Sequence, residues 1–174
     1  MSSVFDQLTS KAAMKFISQL EGFFKGLPHL PKSWVKFLVK VTPWLILLGG
    51  LINLLGGISS LSIGAGMNSV SRMMNPFLKI SPVYFILSGL ISLTLAFLAF
   101  KAFTPLQDRK LMGWIYIFWA SILSAVQSIL AIIFSVAGVV GSALGILIGL
   151  YVLFEIKGEY DGKKVAKKEK KTKK

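Results

Sequence analysis

The chain has 174 residues, of which 54% are hydrophobic and 16% are charged, and its formal net charge is +13. This apolar share lies above that of ordinary soluble domains. The absence of cysteine excludes disulfides, thiolate metal sites and a cysteine nucleophile.

The charged residues are segregated rather than scattered. Residues 41–63, 82–100 and 111–154 contain no Asp, Glu, His, Lys or Arg. A soluble domain would distribute its charges to give each helix a polar face. The pattern therefore predicts an all-α integral membrane protein, with an arm over 1–32, a membrane domain over 33–158 and a basic tail over 159–174.

The arm contains an amphipathic pattern over residues 2–25. Its apolar residues recur at steps of three or four: Phe5, Leu8, Ala12, Phe16, Leu20 and Phe23. This period predicts a helix that ends at Gly26, Leu27 and Pro28. Two placements are open: the helix lies in the headgroup region as an interfacial helix, or it packs on the cytoplasmic face of the same protein.

Four stretches are each predicted to cross the hydrocarbon core, which is about 30 Å thick. They are residues 41–63, 82–101, 111–134 and 137–156. The uncharged stretch 111–154 would be about 66 Å long as one helix, so it must fold back once. Together the spans predict an integral membrane four-helix bundle.

The helix ends are predicted from capping and turn residues. Ser33 and Asp108 are expected to cap the first and third spans, and Ser81 with Pro82 begins the second. Thr104 and Pro105 are expected to close the second span. The fold-back is assigned to Gly138 and Gly141. Gly57 is interpreted as an early end of the first span, and Gly64 and Gly66 are assigned to turns.

The connector after the first span is rich in Ser, Gly, Asn and Met. Met67, Met73 and Met74 suggest a copper(I) site, because thioethers are soft ligands. No His or Cys lies beside them, so a short interfacial helix is the favoured interpretation.

The positive charges predict the orientation. With four spans, 18 of the 20 Lys and Arg residues fall on one face, in residues 1–40, 101–110 and 157–174, and only Arg72 and Lys79 fall on the other. Cytoplasmic loops carry such an excess, so both termini are predicted to be cytoplasmic.

Small residues mark the last two spans. They are Gly141, Gly145 and Gly149 in the fourth and Ser121, Ala125 and Ser128 in the third. Glycine lets two helix backbones approach closely. The favoured interpretation is packing of the fourth span on the third, and the alternative is a homo-oligomer formed through this face.

Few polar side chains lie in or beside the spans. Asn53 and Gln127 are the only amides, and they either bond to a neighbouring helix or line a polar path. Glu155 is expected in an interfacial ion pair beside Lys157, rather than as a proton- or cation-carrying carboxylate. His29 is expected to be exposed and to form no metal or catalytic site. No cofactor is expected.

The tail is too polar to fold alone, and it is predicted to be disordered. Its lysines are Lys163, Lys164, Lys167, Lys168, Lys170, Lys171, Lys173 and Lys174. Three roles are open for these lysines: they bind anionic lipid headgroups on the cytoplasmic face, they contact RNA such as ribosomal RNA, or they only set the topology. Lipid or topology is favoured, because no aromatic residues are interleaved for base stacking.

The predicted function is that of a non-enzymatic assembly or interaction partner within the bilayer, as a homo-oligomer or with another membrane protein. One alternative is a small oligomeric transporter or channel subunit for an uncharged solute. Another is a factor that docks on ribosomes or anionic lipid through the tail. An enzyme is disfavoured, because the spans offer only hydroxyls and two amides and no clustered nucleophile, base or metal ligands.

Overall fold

The computed structural model describes residues 8–66, 82–134 and 139–160, without the side chains of 139–143. Within these ranges the chain forms five helices and no strand. They are α1 (Lys11–Phe24), α2 (Lys32–Gly66), α3 (Pro82–Gln107), α4 (Leu111–Ile133) and α5 (Val139–Tyr160). The all-α prediction is confirmed. By length and composition, α2, α3 and α4 are able to cross a membrane, which indicates a membrane protein.

The arm helix α1 packs against the rest of the chain. Ile17 is only 1% exposed, and Phe16 stacks on Trp119 of α4 with 6.3 Å between the ring centroids. The structure therefore shows that α1 packs on the same protein, and its position relative to the headgroup region stays a prediction. Helix α1 begins after Ser10, whose hydroxyl accepts a hydrogen bond from the Ala13 N–H at 3.3 Å, so the helix predicted over residues 2–25 is interrupted at Thr9 and Ser10. Residues 2–7 of that prediction lie outside the described residues.

Helices α2 and α3 meet along a row of glycines spaced seven residues apart. A Cβ added at Gly50 or at Gly64 would lie 2.9 Å from a side-chain carbon of α3, and one added at Gly57 would lie 3.1 Å from the carbonyl oxygen of Gly89. Seven residues are close to two helical turns, so the three glycines share one face. Their missing side chains let the two backbones approach. We call Gly50, Gly57 and Gly64 the glycine seam.

The seam overturns part of the sequence-based boundaries. Gly57 does not end the first span, and Gly64 and Gly66 do not form turns, because α2 continues to Gly66. Glycine costs a helix about 1 kcal/mol relative to alanine. Packing against α3 offsets this cost at Gly57 and Gly64. The three connector methionines and Ser81 lie outside the described residues.

The end of α3 also differs from the prediction. The helix passes through Pro105 and ends two residues later, at Gln107. Proline removes its own N–H from the hydrogen-bond ladder and its ring crowds the carbonyl four residues earlier, so the helix ends soon after it. The Lys110 N–H then donates to the Pro105 carbonyl at 2.8 Å, and the Arg109 N–H donates to the Leu106 carbonyl at 3.1 Å. Arg109 has a φ of 53°, the left-handed conformation that this type of helix end requires.

Neither of the two predicted caps within the described residues is formed. Ser33 lies inside the first turn of α2, where the Val35 N–H donates to the Pro31 carbonyl at 3.2 Å. Asp108 lies 2.7 Å from Lys110 Nζ, and Lys110 precedes α4 without a side-chain cap. The two hydrogen bonds at the end of α3 form a Schellman-type turn, which leads directly into α4. Asp108 therefore stands two residues too early to cap α4.

Helices α4 and α5 run antiparallel and enclose aromatic side chains. The buried Trp114 indole N–H donates to the Leu153 carbonyl at 2.7 Å, and Phe118 packs edge-on to Phe154. The chain therefore folds back between residues 133 and 139. Gly141 lies within α5, so the turn assigned to it is wrong, and Gly138 lies outside the described residues.

The seam predicts opposite effects for two adjacent glycines. Gly57→Ala places a methyl group 3.0 Å from the Leu93 side chain, so we expect the free energy of unfolding to fall by about 1–3 kcal/mol. The methyl group of Gly56→Ala meets no atom within 4 Å, so this substitution should raise the free energy of unfolding by up to about 1 kcal/mol. Reversible unfolding in mixed micelles, followed by circular dichroism, measures both. Equal effects of the two substitutions would contradict the seam.

Candidate functional site

Gln127 of α4 joins two helices through its amide. Its Nε2 donates to the hydroxyls of Ser88 and Ser92 of α3, each at 3.0 Å. Both serines are buried, at 7% and 6% exposure. The structure thus places Gln127 in an interhelical hydrogen-bond network, one of the two roles considered from the sequence, and the network ties α3 to α4 within an apolar region.

Asn53 of α2 is bonded within its own helix. Its Nδ2 donates to the Gly49 carbonyl at 2.8 Å. The side chain is half-buried. This bond uses one of the two amide hydrogens, and the amide oxygen keeps its full capacity to accept.

Both amides line one crevice of about 500 Å³ between α2, α3, α4 and α5. Its polar side chains are Asn53, Ser121, Ser124, Gln127 and Ser128. Among the described residues, no Asp, Glu, Lys, Arg or His lines it. A space of this size is within the usual range of ligand pockets, about 300–1,000 Å³. We refer to it as the crevice.

Small residues keep the crevice open. Gly49 of α2 and Gly145 and Gly149 of α5 line it, and a Cβ added at any of the three would meet no atom within 4 Å. The contact between α2 and α5 is sparser than those of α2 with α3, α3 with α4 and α4 with α5. The unfilled space therefore lies beside the glycines of α2 and α5.

This geometry corrects the predicted helix packing. Gly145 and Gly149 do not bring α5 into close contact with α4, because the crevice lies between them and the serines of α4. Ser121 and Ser128 line the crevice, whereas Ala125 is half-buried and does not. The surroundings of Gly141 lie outside the described side chains. At Gly57 of the glycine seam, by contrast, an added Cβ would lie 3.1 Å from the Gly89 carbonyl oxygen of α3. The seven-residue spacing alone does not single out this face, because Gly49 and Gly56 have the same spacing.

A second polar cluster connects the arm to the end of α5. Glu155 Oε1 lies 2.7 Å from His29 Nδ1, and Glu155 Oε2 accepts from the Leu30 N–H at 3.1 Å. Glu21 Oε2 lies 2.5 Å from Lys157 Nζ, which also lies above the Trp114 ring. We call Glu21, His29, Glu155 and Lys157 the arm junction.

The arm junction changes two expectations. Glu155 pairs with His29 and not with Lys157, because residues two apart on a helix point to different sides. His29 is exposed, as expected of a linker residue, but it has a partner 126 residues away. No local pattern in the sequence marks that pairing. The Tyr151 hydroxyl adds a hydrogen bond to the Pro28 carbonyl.

Tyr160, at the end of α5, is fully buried. Within the described part of the chain its hydroxyl has no hydrogen-bond partner. Burial raises the pKa of this hydroxyl from 10.0 to about 12, and the charge of Arg109 acts in the opposite direction.

The remaining predicted sites lie elsewhere. The eight tail lysines of residues 163–174 are outside the described residues. In the ranges that the structure covers, no three His, Asp or Glu side chains are placed to hold a metal ion. Comparisons with family models, curated proteins and solved structures found no match for this chain.

The arm junction predicts that Glu155→Ala releases the linker before α2. The substitution removes the acceptor of the Leu30 N–H and the partner of His29, which we expect to cost about 2 kcal/mol. Hydrogen exchange at Leu30 should then be faster by about 30-fold. Lys25→Ala is the control, because its pair with Glu21 spans 4.0 Å and lies at the surface. Equal exchange in the two variants would show that the junction does not hold the arm.

Tyr160→Phe should stabilise the protein, because it removes a buried hydroxyl without a partner. We expect a gain of about 1 kcal/mol at pH 7. Since the folded state keeps the Tyr160 proton to higher pH than the unfolded state, the wild type should lose stability as the pH rises from about 10 to about 12. Over that interval it should lose up to about 3 kcal/mol relative to the variant. If the free energies of unfolding of the two proteins changed equally over this pH interval, that result would contradict the effect of burial on the Tyr160 pKa.

Proposed function

We propose that the chain crosses the membrane four times, through the apolar parts of α2 to α5, with both termini in the cytoplasm. The length and apolar composition of α2, α3 and α4 support this, as does the antiparallel pairing of α5 with α4. Large apolar side chains such as Ile52, Leu55 and Ile148 are more than 60% exposed, which suits contact with lipid. The distribution of Lys and Arg supports the orientation.

We further propose that the molecular activity is the binding of an uncharged solute in the crevice, as a subunit of a small transporter or channel requires. The crevice itself carries this proposal: about 500 Å³ of unfilled space with five hydroxyl and amide side chains. Pockets for small molecules combine mostly apolar walls with a few placed polar groups in this way.

The chemistry of the lining favours an uncharged solute over an ion. A charged group inside a membrane is costly unless a counter-charge or water solvates it. Within the part of the chain that the structure describes, the crevice has no Asp, Glu, Lys, Arg or His to supply a counter-charge. Hydroxyls and amides are matched to neutral partners, with which they exchange ordinary hydrogen bonds.

Assembly with another membrane protein or a second copy is the other candidate. Gly49 and Gly56 lie seven residues apart on α2, and both have open space where a side chain would be. This is the same spacing as in the glycine seam, so a helix from outside the chain would find a comparable surface. Neither candidate function requires catalysis.

Photolabelling in phospholipid nanodiscs tests the binding proposal. We expect an uncharged octanol that bears a diazirine to label residues 117–128 of α4, and the corresponding diazirine-bearing octanoate to label them at least about tenfold less. Gly149→Leu fills open space inside the crevice, so it should reduce the octanol labelling by about tenfold or more.

Gly56→Leu is the matched control, because Gly56 also has open space around it but does not line the crevice. Labelling should persist in this variant. The binding proposal fails if octanol and octanoate label α4 equally, if neither labels it, or if Gly149→Leu leaves the labelling unchanged.

A further inference from the structure

The polar groups of the crevice have already used most of their hydrogens. Gln127 donates both amide hydrogens to serines of α3, and Asn53 donates one to Gly49. The hydroxyls of Ser121 and Ser128 donate to the carbonyls of residues 117 and 124 of their own helix. Four of the five polar side chains therefore have donors committed to the protein.

What these groups still offer a ligand is mainly the capacity to accept. The amide oxygens of Asn53 and Gln127 each accept hydrogen bonds, and the oxygens of Ser121 and Ser128 still carry lone pairs. One Asn53 N–H and the Ser124 hydroxyl are the remaining donors of these polar side chains. The crevice is therefore rich in acceptors, and a ligand that brings its own O–H hydrogens matches it.

We propose that the crevice binds the hydroxyl end of an uncharged lipid alcohol, with the hydroxyl donating its one hydrogen to the amide oxygen of Asn53. The inference rests on the proposed binding of an uncharged solute and names its chemical class. A ligand without an O–H or N–H leaves the Asn53 acceptor unpaired between mostly apolar walls, and polar groups left unpaired away from water are costly.

The size and position of the crevice fit such a molecule. One water occupies about 30 Å³ of liquid, so 500 Å³ corresponds to roughly 17 non-hydrogen atoms. A volume of this size holds the polar head of a lipid alcohol and the first part of its hydrocarbon chain. The open space beside Gly49, Gly145 and Gly149 leaves a route between α2 and α5, along which an apolar chain reaches the lipid.

A matched pair of ligands tests the donor. The wild-type protein in nanodiscs is photolabelled with the diazirine-bearing octanol and, separately, with its methyl ether, which has the same chain but no O–H. We expect the alcohol to label the crevice residues of α4 about tenfold more than the ether, the factor expected from one hydrogen bond to a buried acceptor.

Two substitutions locate the acceptor. Asn53→Leu removes one amide oxygen and breaks only a bond within its own helix, so the ratio of alcohol to ether labelling should fall by about threefold or more. Thr94→Val is the control, because the Thr94 hydroxyl also bonds within its own helix but lies outside the crevice. The ratio should not change in this variant.

The outcomes separate this inference from the proposed function. Equal labelling by alcohol and ether, both stronger than by octanoate, overturns the preference for a hydroxyl and leaves binding of uncharged solutes standing. Labelling by neither compound overturns both. A ratio that Asn53→Leu leaves unchanged, with circular dichroism showing a folded protein, overturns the assignment of Asn53 as the acceptor. A long-chain alcohol, a monoacylglycerol and a sterol, each added as an unlabelled competitor, then identify which lipid alcohol binds best.

Discussion

The close approach of α2 and α3 is the constraint on which the rest of the structure depends. Along the glycine seam the two backbones are so near that a single methyl group would meet an atom of α3 at about 3 Å. The seam sets the rotation of α2 about its own axis. Because Gly49 and Asn53 lie on the adjacent face, the same rotation turns them toward the crevice.

The crevice results from tight packing on either side of it. The glycine seam joins α2 to α3, Gln127 joins α3 to α4, and Trp114 joins α4 to α5 through the Leu153 carbonyl. Each joint uses a different interaction: backbone proximity, a shared amide, and a buried indole hydrogen bond. No comparable joint closes α5 onto α2 among the residues described, so space remains between the glycines of these two helices.

The arm helix is held to the far side of α4 and α5 by both kinds of contact available to an amphipathic helix. Its apolar face buries Ile17 and stacks Phe16 on Trp119. Its charged residues and the following linker meet the end of α5 at the arm junction. The arm therefore braces α5 from outside, while the face of α5 that carries Gly145 and Gly149 borders the crevice.

The sequence alone determined the helical class, the apolar stretches, the amphipathic arm and the identity of the two amides. These follow from local composition and period, which act within one helix. Only the tertiary structure decided that Gly57 packs while Gly145 does not, and that Glu155 meets His29. Each of these depends on which surfaces come together across many residues, and the choice among several glycine-bearing faces is made by the packing of the whole chain rather than by any one segment.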